Sequence, residues 1–499
     1  MLLVAALLAA CSPESASDRQ ATIRIAVPLV PPAIGNPYQG VTIPTTLALQ
    51  AIFDTVTMVD GAGNAIPGLA IAWESQDPLH WIFRLRPGVT FSNGEPLTAE
   101  ALVESVRHMT SKRGRAETIG STLAQVESIE ALDALTVRIG LGEPDPLLPL
   151  HSSVWRVPAP AHWRTLQLPA QARNALGSGP FVLAGREEGR LVLKANPRAW
   201  RKPAVETIEL LTIPDATARL QAFVSGAVDI AMVLSPDNRA AAERGGGRMV
   251  TRLTPQVDFI GFLTERRDTP LRDPRVRRAL ALAVDRRQLT EYLLGGATQP
   301  ASQLNVAGAF GYDASLPPLP HDPAQARRLL AEAGQAGRLR LKMIVTTGEV
   351  AGDTVYFQQI GSDLRKVGVE VEIRNRPSTR QLQELFSGNL QGDLFSFNTR
   401  GTDPLMDFRH RSCLHPKAGR LPFHCDPALT ALLEQAQGEP DLARRRQRYA
   451  QIAAYERDQP PGILLWQRPD FDAVSPRVEG YAPVQDLIGL EHLRRVAPR

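Results

Sequence analysis

LRLKMIV at residues 339–345, VEVEI at 369–373 and DLFSF at 393–397 are three short runs of strand length, the first two alternating in character. Between them lie two segments with helical spacing, over roughly Thr354–Lys366 and Arg380–Phe386. The order β-α-β-α-β predicts an open sheet with helices on its faces, an α/β fold. In such sheets ligands gather beyond the C-terminal ends of strands, which directs attention to the residues just after Phe397.

Working outward, Asp273-Pro274 reads as an N-cap followed by proline at the first helical position. The helix it opens would bury Val276, Leu280, Ala283 and Val284 and stop at Gly295-Gly296. Asp322-Pro323 opens another, ended by Gly334. Nearer the N-terminus, Ile23–Val27 reads as a strand, Leu47–Met58 as an apolar helical stretch, and Trp81–Leu85 as an alternating strand turning at Pro87-Gly88. Thr98 is expected to cap a helix carrying Leu102, Val103 and Val106.

The chain has 499 residues, which predicts two or three domains, and 43% are hydrophobic, which excludes a collagen-like or wholly disordered protein. A net charge of +4 makes no phosphate-binding surface, so nucleic acid is not an expected partner. Met1–Ala10 is half the ~20 apolar residues a spanning helix needs. Closed by Leu8-Ala9-Ala10-Cys11, it resembles a lipoprotein signal, with residues 1–11 as the signal, Cys11 as the lipid acceptor and 12–20 as a polar tether. No lysine or arginine precedes the apolar run. The rest would be a body held at a membrane surface outside the cytoplasm.

Enzyme signatures are scarce. The chain has no Gly-x-Ser-x-Gly elbow, no P-loop and no His-Glu-x-x-His, and Gly177-Ser178-Gly179-Pro180-Phe181 reads as a turn into a strand. His410, Cys413, His415, His424 and Cys425 fall within sixteen residues, so zinc or nickel ligation is one reading. The other is a Cys413–Cys425 disulfide, favoured by an oxidising compartment and by the count of three cysteines, one of them Cys11.

Several blocks together resemble the extracytoplasmic solute-binding proteins of ABC importers, family 5, the peptide and nickel class. They are Asp54-Thr55-Val56, Asp60-Gly61 and Ile66–Ala70 with Trp73, then Trp81–Val89 and Phe91–Pro96. Gly177–Phe181 with Asn196-Pro197 and Trp200, Ala222-Phe223 with Gly226–Ile230, Asp273–Leu280 with Ala283–Arg286, and Asp403-Pro404 complete the order. The resemblance implies a periplasmic-binding-protein-like fold, type II in its large three-domain form, with two lobes joined by hinge strands around a ligand cleft. On that plan lobe I comprises 21–53, 185–262 and 475–499, the inserted small domain 54–184, and lobe II 263–474. It implies a monomer without cofactor that hands a solute to permease and ATPase subunits, and no enzymatic activity.

Peptide-binding members hold the ligand's amino terminus with an aspartate three residues before the Asp-Pro pair. Here that position is Arg400. Two positive groups ~4 Å apart at an effective dielectric of 20 repel by ~4 kcal/mol, so a free ammonium is not expected there, whereas a carboxylate or phosphate suits the guanidinium fork. Pairing of Arg400 with Asp403, Asp407 or Asp393 is the competing reading. The expected ligand contacts are Arg400, Thr399, Asn398, Thr402 and Asp403, with Tyr38 and Asn36 from the first loop. His415 lies roughly where the nickel-binding member supplies a histidine, so a nickel or metal-chelate ligand is the alternative. A chemosensory receptor on the same fold is another, as is an exported hydrolase pairing Ser178 with His151 or His162.

Overall fold

The computed structural model describes residues 22–30, 34–38, 43–117, 119–123, 125–165, 174–265, 268–347, 353–400, 403, 405, 411–413, 422–484 and 488–496. Cys11, the tether, Thr402, His410 and His415 lie outside the described residues.

In chain order, β1 (Thr22–Val27) is followed by the helix Ile43–Ile52 and a hairpin of β2 (Thr57–Val59) and β3 (Ala65–Pro67). The strands β4 (Ala70–Asp77), β5 (His80–Leu85), β6 (Val126–Ala131) and β7 (Thr136–Leu141) form an antiparallel sheet in the order β4-β5-β7-β6. The helix Ala99–Thr110 packs on it and buries Leu102, Val103, Val106 and Met109 against Phe83 and Val137. Thr98 stands at the N-cap position with extended backbone, but its side chain makes no capping hydrogen bond, a correction to the sequence reading.

Next come β8 (Phe181–Glu187), β9 (Arg190–Ala195), β10 (Thr207–Thr212), β11 (Ile230–Leu234) and the long β12 (Arg248–Phe262). The helix Pro274–Ala283 starts where Asp273 accepts the Arg275 N–H at 2.9 Å, and Asp322 does the same for Gln325 at 2.8 Å. Then β13 (Arg340–Val345), β14 (Glu370–Asn375) and β15 (Leu394–Arg400) alternate with the helices Asp353–Lys366 and Ser378–Phe386, as the opening stretch predicts. After the helices Pro427–Gln437 and Leu442–Asp458, β16 (Gly462–Val474) and the short ribbon of β17 (Val478–Glu479) and β18 (Arg494–Arg495) close the chain.

Ten strands form one sheet, in the order β14-β13-β15-β12-β16-β11-β1-β10-β9-β8. Two strands give it two halves. Arg248–Leu253 of β12 pair with Pro469–Val474 of β16, and this part of β16 also pairs with β11. Val257–Gly261 pair with Gly462–Gln467, while Gln256–Phe262 pair with β15 on the other side. The β12–β16 register breaks between Leu253 and Val257, so both strands pass from one lobe to the other there.

Three large apolar cores fit this division. One gathers Ile23, Ile25, Phe53, Ile208 and Leu210, another Phe83, Val103 and Trp155 of the small domain, and the third Val276, Leu280, Met343, Ile360 and Trp466. The small domain is fastened to the first lobe through Asp54. Its carboxylate accepts from Trp200 Nε1 (2.8 Å) and pairs with Arg201 (2.6 Å) on the first lobe, and also accepts from Ser178 Oγ (2.8 Å) of its own segment.

Candidate functional site

The strand-end rule selects the C-terminal end of β15. Here Asn398, Thr399 and Arg400 lie opposite Asp258, Val257 and Gln256 of β12. Gln256 borders the register break, so this strand end meets the place where the chain crosses between lobes. Thr399 is buried, with Oγ1 donating to the Leu304 carbonyl at 3.5 Å. Asp258, also buried, holds Arg468 by bonds of 2.6 and 3.0 Å. Burial works against the Arg468 charge, yet the Asp258 carboxylate outweighs it and holds the guanidinium ionised.

Asp403 follows three residues after Arg400 and is almost fully buried. Its Oδ1 accepts from Tyr449 Oη (2.7 Å) and the Leu405 N–H (2.9 Å), and its Oδ2 bonds His151 Nε2 at 2.8 Å. The other ring nitrogen of His151, Nδ1, bonds Asp145 Oδ2 at 2.7 Å. Burial disfavours a charged imidazole, but the Asp145 and Asp403 carboxylates prevail and raise the His151 pKa to about 10. The ring is therefore an imidazolium at neutral pH and donates from both nitrogens. Burial pushes the Asp403 carboxyl upward, yet the bond and charge of His151 bring it below the ordinary carboxylate range. Tyr449, raised by burial and by Asp403, stays a hydroxyl and donates.

Tyr38 and Asn36, on a segment expected in lobe I, instead pack against the small domain: Tyr38 joins its core and Asn36 bonds Glu117, a correction to the expected bounds. Tyr38 is fully buried, shares a 2.9 Å bond with Ser105 Oγ and stacks on His108 with centroids 4.9 Å apart. Asn36 donates to Glu117 Oε1 at 2.9 Å. The loop expected to offer both groups to a ligand thus spends their polar atoms on internal partners.

Cys413 and Cys425 form a disulfide, with Cα atoms 4.5 Å apart, so neither thiol is available to a metal. His424 beside it is buried and bonds Thr264 Oγ1 at 3.0 Å through Nδ1, and burial pushes its pKa down to about 3. Among the described residues no group of three His, Cys, Asp or Glu side chains gathers in metal-binding geometry. Ser178 is fully buried and donates to Asp54, while His151 is taken up by Asp145 and Asp403, so the two do not make a nucleophile–base pair.

A sheet in two halves joined by two crossing strands, with a strand end at the crossing, has the architecture of a two-lobed binding protein. The description "Bacterial extracellular solute-binding proteins, family 5 Middle" matches residues 64–412, and the chain belongs to that family. Di/tripeptide-binding protein 2 of Pseudomonas aeruginosa (strain UCBPP-PA14) is 27% identical over 451 residues, 84% of this chain and 84% of its own. The nickel-binding periplasmic protein of Escherichia coli (strain K12) is 27% identical over 354 residues, 65% of this chain and 66% of its own. The crystal structure of the ABC transporter substrate binding protein CtaP from Listeria monocytogenes superposes with a TM-score of 0.84 at 19% identity, covering 95% of this chain and 99% of that one. The chain is thus an extracytoplasmic solute-binding protein of the ABC-importer class and not an enzyme, which removes the hydrolase reading.

Sequence pattern marks both His151 and Asp403 but does not join them. They lie 252 positions apart, and His151 stands out only as a partner for Ser178.

Proposed function

We propose that the protein captures a peptide-like or other polar, anionic solute between its lobes and delivers it to a membrane permease, while a lipid on Cys11 holds it at the membrane. The observation that carries the ligand class is the state of Asp403. Tyr449, the Leu405 N–H and His151 already donate to its oxygens, so a ligand ammonium would have to compete with them there. Arg400, at the end of β15 beside the hinge crossing, is the residue proposed to receive a carboxylate or phosphate, with Asn398, Thr399 and Thr402 around it. A ligand touching both lobes favours closure by its differential contacts.

Mass spectrometry of the small molecules that co-purify with the protein tests the class directly. Calorimetric titration of wild type and Arg400→Ala with di- and tripeptides, N-acetylated peptides and a nickel–histidine complex then tests the residue. Loss of tenfold or more in affinity for an anionic ligand is expected, worth about 1.4 kcal/mol. Undiminished affinity in the variant refutes the role of Arg400. Tight binding of the nickel complex in preference to every peptide would favour the metal-chelate reading, which the nickel-binding relative supports.

A further inference from the structure

His151 belongs to the short helix Leu148–His151 of the small domain, which is fastened to the first lobe through Asp54. Asp403 and Tyr449 belong to the second lobe, Tyr449 on the helix Leu442–Asp458 and within an apolar cluster with Leu429 and Leu433. The 2.8 Å bond between His151 Nε2 and Asp403 Oδ2 therefore spans two bodies whose covalent link runs through the hinge strands. Two further contacts follow the same seam. Gln437 donates to Glu143, and Arg445 Nη1 reaches the Pro144 carbonyl at 3.5 Å.

We propose that His151 is a clasp that draws the lobes together without ligand, by bridging Asp145 on its own domain and Asp403 on the other. The arrangement is self-consistent in charge. Bonded to the ring are Asp145 from its own segment and Asp403 from the second lobe; from the helix Leu442–Asp458, Tyr449 bonds Asp403 and Arg445 lies near both carboxylates, while Glu143 along the same seam is held by Gln437. A neutral imidazole has one N–H and can satisfy one carboxylate, whereas the imidazolium satisfies both. When the lobes part, Asp145 keeps its bond within the small domain and only the Asp403 bond is broken. The clasp thus acts on the closing equilibrium and leaves the fold of either body intact. It presets part of the closure that a solute must otherwise drive, so solute affinity depends on it without any contact between His151 and solute. The inference rests on lobe closure and is independent of which solute binds.

Small-angle scattering of the ligand-free, full-length protein reads the clasp. At pH 7, His151→Gln is expected to shift the closed-to-open ratio by ~10-fold toward open, seen as a larger radius of gyration at unchanged circular dichroism. Wild type taken from pH 7 to above pH 10 is expected to open similarly as the ring loses its second proton, which gives a readout should the variant fail to fold. A folded His151→Gln with the wild-type radius overturns the clasp. So does a wild-type radius that stays constant from pH 7 to pH 11. No solute enters either measurement, so failure here leaves the solute-binding reading to its own titrations.

Discussion

The same histidine makes a prediction about stability in alkali whose sign can be worked through. Its ordinary pKa is 6.5 and the folded protein raises it to about 10, so the folded state holds a proton that the unfolded chain has released throughout that interval. For a raised pKa the stabilisation is fully present below pH 6.5 and lost as pH rises through about 10. The slope approaches about 1.4 kcal/mol per pH unit between 6.5 and about 10, so of the stabilisation present at pH 7, on the order of 4 kcal/mol disappears in strongly alkaline solution. His151→Gln cannot titrate and should lack this loss. Urea unfolding of both proteins at pH 7, 8, 9 and 10, followed by tryptophan fluorescence, measures the difference in slope, and ionisation of lysines and tyrosines common to both cancels. On the acid side Asp403 acts with the opposite sign. Its lowered pKa contributes stability above the ordinary carboxylate range, lost as pH falls through the folded value. Parallel wild-type and variant profiles from pH 7 to pH 10 would refute the reasoning, since they would mean that His151 is not charged in the native state.

Two further substitutions probe the frame. A Cβ placed on Gly177 would lie 2.1 Å from the Ile52 carbonyl oxygen, so Gly177→Ala forces the helix Ile43–Ile52 away from the turn before β8 and should cost about 1–3 kcal/mol in thermal or denaturant unfolding; an unchanged midpoint argues that this approach is loose. Cys413→Ser with Cys425→Ser opens a loop of twelve residues' separation and should cost ~3 kcal/mol in the chain-entropy model, with reductant destabilising wild type but not the variant.

The parts of the fold legible in the sequence are those set by local period and punctuation. The two Asp-Pro caps and the β-α-β-α-β run at Leu339–Phe397 depend on neighbours a few residues away, and they appear where the pattern puts them. Gly177-Ser178-Gly179-Pro180 was readable as a turn, but its reason is tertiary. Both glycines are required because the backbone of Ala51 and Ile52 lies against them, and Ser178 closes on Asp54 from 124 residues away. The disulfide was readable from compartment and count, since three cysteines leave only one pair after Cys11. Contacts between domains were not readable. Nothing near His151 or Asp403 marks them as partners, and the isolated motifs gave Tyr38 and Asn36 the look of a ligand loop when Glu117 and Ser105 hold them inside.

The hinge explains how one interdomain contact can matter. Arg252 lies directly across from Asp470 in the β12–β16 ladder and bonds it at 2.8 Å, with Asp472 on its other side and Tyr481 bonded to Asp472. At the register break itself, Arg468 pairs with Asp258 just beyond it at 2.6 Å. All four carboxylate and guanidinium groups nearest the crossing are largely buried, where a lone charge would be costly, so separating either pair during motion is strongly disfavoured. Between these rivets lie Thr254, Pro255 and Gln256, outside the β12–β16 ladder, and Pro255 has no N–H to join it. The gap in the ladder is three residues of β12 and one of β16, so bending is expected to concentrate there, with each half of the sheet moving as a plate. A rigid plate transmits to its hinge any force applied elsewhere on it. A bond made outside the hinge strands, as His151–Asp403 is, therefore biases the whole closing equilibrium instead of dissipating in local flexing.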